Sequence, residues 1–212
     1  MRDLPASDHS LPEELRDAVK ALRAGELIVF PTETFYAIGA DPMQREALAA
    51  IIDLKGRDPN KPIALIAAEA ESAFAVARTV PRNARLLART FWPGPLTMVL
   101  PAREGLDEVL IGPTGGTGVR VSPHPIARAL ATGVGGLLTA TSANLSGQRP
   151  ARTLAEALHA LGARIRVYVD GGALNSELPS TVGEFQSDGS FRIVRPGAID
   201  HDAITAALRK QE

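Results

Sequence analysis

No cysteine occurs in the 212 residues. Disulfides, thiolate nucleophiles and cysteine-based zinc sites are excluded together. Aromatic side chains make up only 4% of the chain, too few for an extended base-stacking platform. Neither sign of charge dominates: 23 Lys and Arg stand against 24 Asp and Glu, a formal net charge of -1. Any nucleic-acid contact would therefore need a local patch. No apolar run is long enough to span a bilayer, so no membrane partner is expected. The stretch from Met1 to Ser10 has no apolar signal-peptide core, which predicts a cytoplasmic location. The Asn144-Leu145-Ser146 sequon is then irrelevant. Equally absent are a Gly-x-x-x-x-Gly-Lys-Ser/Thr loop, a dinucleotide glycine pattern, a Gly-x-Ser-x-Gly elbow and a His-Glu-x-x-His pair. The four histidines (His9, His124, His159, His201) are scattered without metal-ligand spacing, and His124 between its prolines is expected to be structural.

What is present is an ordinary globular composition, 45% hydrophobic and 22% charged, in a length suited to one well-buried domain. Residues 11–200 are expected to form that domain, with 1–10 a flexible N-terminal stretch and 201–212 a terminal helix. Ser10 and Glu13 have capping-box spacing, and Leu11, Leu15, Val19 and Leu22 share one helical face. Leu27 to Phe30 is a strand stopped by Pro31, and Thr34 to Ile38 reads as another. Helices are predicted for the segment carrying Leu48, Ile51, Ile52 and Lys55, then over 69–77, 82–91, 124–131 and 154–161. Strands are predicted over 63–67, 96–100, 119–121, 137–141 and 165–169. A late hairpin pairs 181–185 with 191–194. Strands separated mostly by helices give the fold class: α/β (α+β), a twisted mixed sheet flanked by helices.

Lys55, Arg57 and Lys61 crowd a helix-to-strand loop, where cations converge on a polyanion such as a nucleotide triphosphate. Arg120 lies between two valines on a strand, and Arg195 at the end of the hairpin. Thr34, Ser142, Asn144 and Ser180 add short polar groups at strand ends. Metal-assisted nucleotidyl transfer needs this inventory, because catalysis at phosphorus is mostly positioning and charge stabilisation. No carboxylate pair stands out as metal ligands. A basic cleft that only holds RNA draws on the same residues, although near-neutral charge and scarce aromatics argue against it.

The order of the motifs narrows the choice. Pro-Thr-Glu-Thr-x-Tyr-x-x-Gly (31–39), Lys-Gly-Arg-x-x-x-Lys-Pro (55–62) and Trp-Pro-Gly-Pro-Leu-Thr (92–97) are followed by Val-Arg-Val-x-x-His-Pro (119–125), Thr-Ser-Ala-Asn-Leu-Ser-Gly (141–147) and Val-Arg-Pro-Gly (194–197). From Leu11 to Gly197 the chain resembles the YrdC/TsaC family of L-threonylcarbamoyladenylate synthases, in its short form. The resemblance implies a YrdC-like domain that converts L-threonine, bicarbonate and ATP, with Mg²⁺, into threonylcarbamoyl-AMP and pyrophosphate. Downstream tRNA threonylcarbamoyl-transferase proteins would then modify the adenosine beside the anticodon. It implies Thr34, Arg120 and Ser180 as threonine ligands. Arg57, Lys61, Ser142, Asn144 and Arg195 are implied as ATP ligands, with Lys55 and Arg57 in the catalytic loop. The sequence departs from the family pattern at Ala37, where glycine is usual after the tyrosine. It also reads Leu178-Pro179-Ser180-Thr181 in place of Glu-Ser-Thr, and carries the apolar Ile66 where some members have His. A YciO-type paralogue, which shares the fold but has a less certain substrate, is the alternative reading; the intact Lys-x-Arg and Ser-x-Asn motifs favour the synthase.

Overall fold

Short apolar runs alternating with amphipathic helices do build a mixed sheet. In a computed structural model the described residues are 11–56, 61–186 and 188–209, and they form nine strands and seven helices. The strands are β1 (Ile28–Phe30), β2 (Ala37–Gly39), β3 (Ala64–Ala67), β4 (Leu96–Pro101), β5 (Gly116–Val121), β6 (Leu137–Ser142), β7 (Val167–Tyr168), β8 (Thr181–Phe185) and β9 (Phe191–Arg195). The helices are α1 (Glu13–Arg23), α2 (Arg45–Lys55), α3 (Ala70–Phe74), α4 (Arg82–Phe91), α5 (Pro125–Gly133), α6 (Leu154–Leu161) and α7 (His201–Arg209). The spatial order is β7-β1-β2-β6-β3-β5-β4-β8-β9. β1 with β7, β3 with β5 and β4 with β8 are parallel pairs; the remaining neighbours are antiparallel.

The period of two along each strand divides the core. Val29, Ile38, Leu65, Met98, Val119 and Val121 face one layer, covered by the apolar sides of α2 and α4. Ile28, Phe30, Ile66 and Leu138 face the other, against α1 and α5. On α1 the residues Leu15, Ala18, Val19 and Leu22 make the buried stripe, as the sequence spacing predicts. On α2 the buried residues are Ala47, Leu48, Ile51 and Lys55. Lys55 therefore closes an apolar face, and Gly56, in the left-handed conformation at φ 53°, ends the helix directly after it.

Three predicted elements are shorter than expected. The strand predicted from Thr34 begins only at Ala37. Thr32 Oγ1 accepts from the Thr34 and Phe35 amides and donates to the Phe35 carbonyl, so a local turn takes backbone groups that a ladder would have used. The helix predicted over 69–77 is confined to Ala70–Phe74. Beyond it Ala77 bridges Ala102, and the Arg103 amide bonds the Val76 carbonyl, which draws the chain alongside the end of β4. The strand predicted over 165–169 pairs only at Val167–Tyr168, with the Val169 amide bonding the Val29 carbonyl beyond it. The hairpin, α4 and α6 lie where the patterning put them. A capping box does occur, but at α6, between Thr153 and Glu156; Ser10 and the stretch 1–10 lie outside the described residues.

Candidate active site

One face of the sheet is hollowed where its strands carry small residues. Ala64 on β3, Gly116 and Gly118 on β5 and Ala140 on β6 floor a cavity of about 830 Å³, within the range of small-molecule sites. Farther along the same face the residues are large (Phe30, Ile66, Leu138), and α1 and α5 cover them. A side chain at Gly118 would reach into this floor: its Cβ would lie 3.3 Å from Thr97 Cγ2 and 3.8 Å from Ala64 Cβ.

Polar groups from distant segments line the rim. Thr34, Arg120, Ser142, Asn144, Ser180 and Arg195 all do so, so six of the residues singled out in the sequence converge. Arg120 is buried on β5 and donates through Nε to Glu33 Oε1 at 2.8 Å. Thr34 Oγ1 lies 3.2 Å from Thr32 Oγ1 in the turn before β2. Arg195 donates through Nη2 to the Ser180 carbonyl at 2.7 Å and to Ser180 Oγ at 3.1 Å. Ser180 Oγ also accepts from Thr97 Oγ1 at 3.0 Å. Ser142 Oγ donates to Asn144 Oδ1, and Asn144 Nδ2 donates to the Gln148 carbonyl.

Of the three cations expected to converge from the basic loop, Lys55 and Lys61 are among the described residues. Lys55 does not line the cavity. Its Nζ donates to the Ser142 carbonyl at 2.6 Å, to Ser142 Oγ at 3.3 Å and to Asn144 Oδ1 at 3.0 Å, bracing the wall from behind. Lys61 is exposed and is not among the lining residues, although its neighbour Pro62 is. Arg57 lies outside the described residues. Ala37 and Pro179, two of the departures from the family pattern, both line the cavity; Ile66 is buried beside Arg120 in the β3–β5 register.

Several residues of the site carried no assignment in the sequence. Glu33 lies inside the Pro-Thr-Glu-Thr motif, and its carboxylate joins Arg120 to the Ser122 hydroxyl. Burial pushes its pKa upward, but the Arg120 guanidinium and the Ser122 hydroxyl outweigh that and hold it below the ordinary 4.5. Beside it, burial lowers the pKa of His124, with Glu33 opposing. Glu184 and Arg192 form an ion pair on the cavity wall, and the hydrogen bond from Arg192 is the chief reason that the Glu184 carboxyl is depressed. A bulge between Val182 and Gly183 brings Arg192 and Arg195 to the same wall, a shift in alternation that no residue pattern announces. The Tyr36 hydroxyl lies 3.0 Å from Asp170 Oδ1, 2.8 Å from the Gly172 carbonyl, and accepts from the Gly171 amide at 3.0 Å. It ties the segment after β7 to the start of β2. Burial raises the Tyr36 pKa.

Among the described residues no three His, Cys, Asp or Glu side chains gather as a metal site. The cavity offers hydroxyls, an amide and guanidinium groups, donors suited to anions, with the Glu177 and Glu184 carboxylates also on its lining.

The chain is similar to known proteins in sequence and in fold. The profile of the Sua5/YciO/YrdC family, described as "Telomere recombination", matches residues 20–197. The chain is 36% identical over 181 residues to the threonylcarbamoyl-AMP synthase of Halorhodospira halophila, covering 85% of this chain and 95% of that relative. Its fold superposes on P. abyssi Sua5 complexed with L-threonine with a TM-score of 0.88 at 32% identity, over 94% of this chain and 59% of that one. It spans well under two thirds of the Sua5 length. E. coli YciO is similar at a TM-score of 0.79 and 26% identity, over 92% of this chain and 95% of that one. The ordered motifs, the sheet that carries them and the profile match agree, and the chain belongs to the Sua5/YciO/YrdC family.

Proposed function

We propose that the cavity is where this chain joins L-threonine, bicarbonate and ATP into threonylcarbamoyl-AMP and releases pyrophosphate. The observation that carries the reading is the convergence of Thr34, Arg120, Ser142, Asn144, Ser180 and Arg195 on one cavity, in a chain 36% identical to a threonylcarbamoyl-AMP synthase. The activity is that of a nucleotidyltransferase of this kind. In our reading Arg120 takes the threonine carboxylate in a planar, fork-to-fork pairing, with Thr34 and Ser180 on the remaining polar groups. Ser142, Asn144 and Arg195, with Arg57 and Lys61 from the neighbouring loop, hold ATP. Lys55 serves the site by fixing Ser142 and Asn144.

The threonine amine forms a C–N bond to the bicarbonate carbon as a C–O bond breaks and water leaves, and the resulting carbamate presents an oxygen to the α-phosphorus. A P–O bond forms there as the bond to the β-phosphate oxygen breaks, and the electron pair leaves with pyrophosphate. Charge grows on the leaving oxygens, and fixed cations stabilise it without reorganising. Mg²⁺ accompanying ATP would add charge neutralisation on the phosphates. Transfer of the threonylcarbamoyl group to tRNA belongs to downstream proteins.

The test is pyrophosphate release from ATP with and without L-threonine and bicarbonate, plus mass analysis for the mixed anhydride. Release that needs both co-substrates is expected. ATP binding without such release would instead favour the YciO-like reading that the fold similarity also permits.

A further inference from the structure

Glu33 is a buried carboxylate bonded to an arginine that lines the cavity. Its side chain is 10% exposed and that of its partner Arg120 is 7% exposed. Oε1 accepts from Arg120 Nε at 2.8 Å, and Oε2 accepts from the Ser122 hydroxyl. Ser122 Oγ itself accepts the His124 amide at 3.1 Å, so its hydroxyl proton is directed at Glu33 and not at the peptide. Both contacts onto the carboxylate are donors. An ionised carboxylate accepts both without a proton of its own to place, and the carboxyl pKa is depressed. The arrangement clamps Glu33 between β5 and the start of α5. It takes the Nε edge of Arg120 and leaves the terminal nitrogens for the cavity that Arg120 lines.

We infer that Glu33 is a positioning residue for threonine recognition: by holding Arg120 at Nε, and being held in turn by Ser122, it aims the guanidinium fork at the substrate carboxylate. The inference rests on the proposed pairing of Arg120 with threonine. It differs in sign from the simpler role of charge neutralisation. If Glu33 only neutralised Arg120, its removal would leave a bare buried cation and tighten binding of a carboxylate. If Glu33 aims Arg120, its removal frees the last torsions of the guanidinium and weakens binding.

The experiment is calorimetric titration of the full chain with L-threonine and, separately, with ATP, for wild type, Glu33→Gln, Glu33→Ala, Ser122→Ala, Arg120→Ala and the Glu33→Ala/Arg120→Ala pair. Gln keeps one acceptor for Nε when its amide turns toward Ser122, so Glu33→Gln is expected to bind threonine within about threefold of wild type. Glu33→Ala is expected to lose about tenfold or more, with ATP affinity unchanged. Adding Glu33→Ala to Arg120→Ala should cost nothing further, because the effect passes through Arg120. If Glu33→Ala fails to fold, Ser122→Ala carries the test, since it loosens the carboxylate without altering charge: weaker threonine binding supports the inference and unchanged binding overturns it. Tighter or unchanged threonine binding in the Glu33 variants, or an equal loss for ATP, also overturns it. Wild-type protein that binds no threonine overturns the proposed function first, a result distinct from any failure of the Glu33 variants alone.

Discussion

Replacing Lys55 with Met tests whether this lysine braces the site or acts on the substrate. Met retains an unbranched stem on the buried face of α2 and removes the ammonium group. The hydrogen bonds from Nζ to Ser142 and Asn144 are then lost, while the Ser142 carbonyl keeps the Asn144 amide at 2.9 Å and Asn144 Oδ1 keeps the Ser142 hydroxyl. A hydrogen bond to a charged group contributes about 1.5–3 kcal/mol, and more than one is lost here. Relief of lysine desolvation and the gain from burying a thioether offset part of this. A net loss of about 2 kcal/mol is expected. For a domain of this size that lowers the melting temperature by about 4–8 °C, readable by calorimetric melting. In steady-state assays the KM for ATP should rise as Ser142 and Asn144 loosen, with the KM for threonine unchanged. A melting temperature within about 1 °C of wild type, together with a fall in kcat of about a hundredfold, would refute the bracing role and return Lys55 to the chemistry.

Two further perturbations address the cavity and its buried carboxylate. Gly118→Val places a branched side chain on the cavity floor, 3.3 Å from Thr97 Cγ2 at its Cβ; kcat/KM should fall about tenfold or more, about 1.4 kcal/mol, while melting shifts by only about 2–4 °C, and unchanged kinetics would place the substrates elsewhere. Because the folded pKa of Glu33 lies below its unfolded value of 4.5, its contribution to stability is fully present above about pH 4.5 and is lost as pH falls through the folded value. Urea unfolding between pH 6 and pH 3 should therefore show a steeper acid loss for wild type than for Glu33→Gln, and parallel curves would contradict the ionised, doubly bonded carboxylate.

Much of this architecture is legible in residue patterns because it obeys simple periods. The stripe of α1, the apolar runs of β1 and β3 and the turn before β9 each follow from local alternation. Where the structure departs from those patterns, a distant segment or a side chain competes for the backbone. Thr32 withdraws amides from the start of β2, and the end of β4 captures residues 76–78 before α3 can lengthen. Lys55 was open to a better reading. Leu48, Ile51 and Lys55 share a helical face, yet its neighbours Arg57 and Lys61 suggest a solvated cation. Only the position of the 142–144 loop, 87 residues away in sequence, supplies the acceptors that make burial of the charge tolerable. Glu33 is a similar case. Its partner lies on β5, and no local signal tells a carboxylate that orients a substrate-binding arginine from one at the surface.

The tethers around the cavity bear on how tightly such a site can hold small anions. Arg120 is pinned by Glu33 and Arg195 by Ser180, both before any ligand arrives. Ordering a long side chain at the moment of binding costs about 0.5–1.5 kcal/mol. Folding has already imposed that order on both arginines, which spares the ligand about 1–3 kcal/mol, or roughly one to two decades of affinity. Glu33 screens Arg120 and so offsets part of this in long-range attraction, but the geometry it imposes favours a planar carboxylate over a freely oriented anion. Discrimination at the Arg120 end therefore comes from shape and hydrogen-bond direction more than from net charge. Arg195 is likewise directed by the carbonyl and hydroxyl of Ser180, so its donors too are oriented before a ligand arrives. Each arginine of the cavity is thus aimed by a neighbour fixed in the fold, which favours ligands whose acceptors match the direction of the donors already in place.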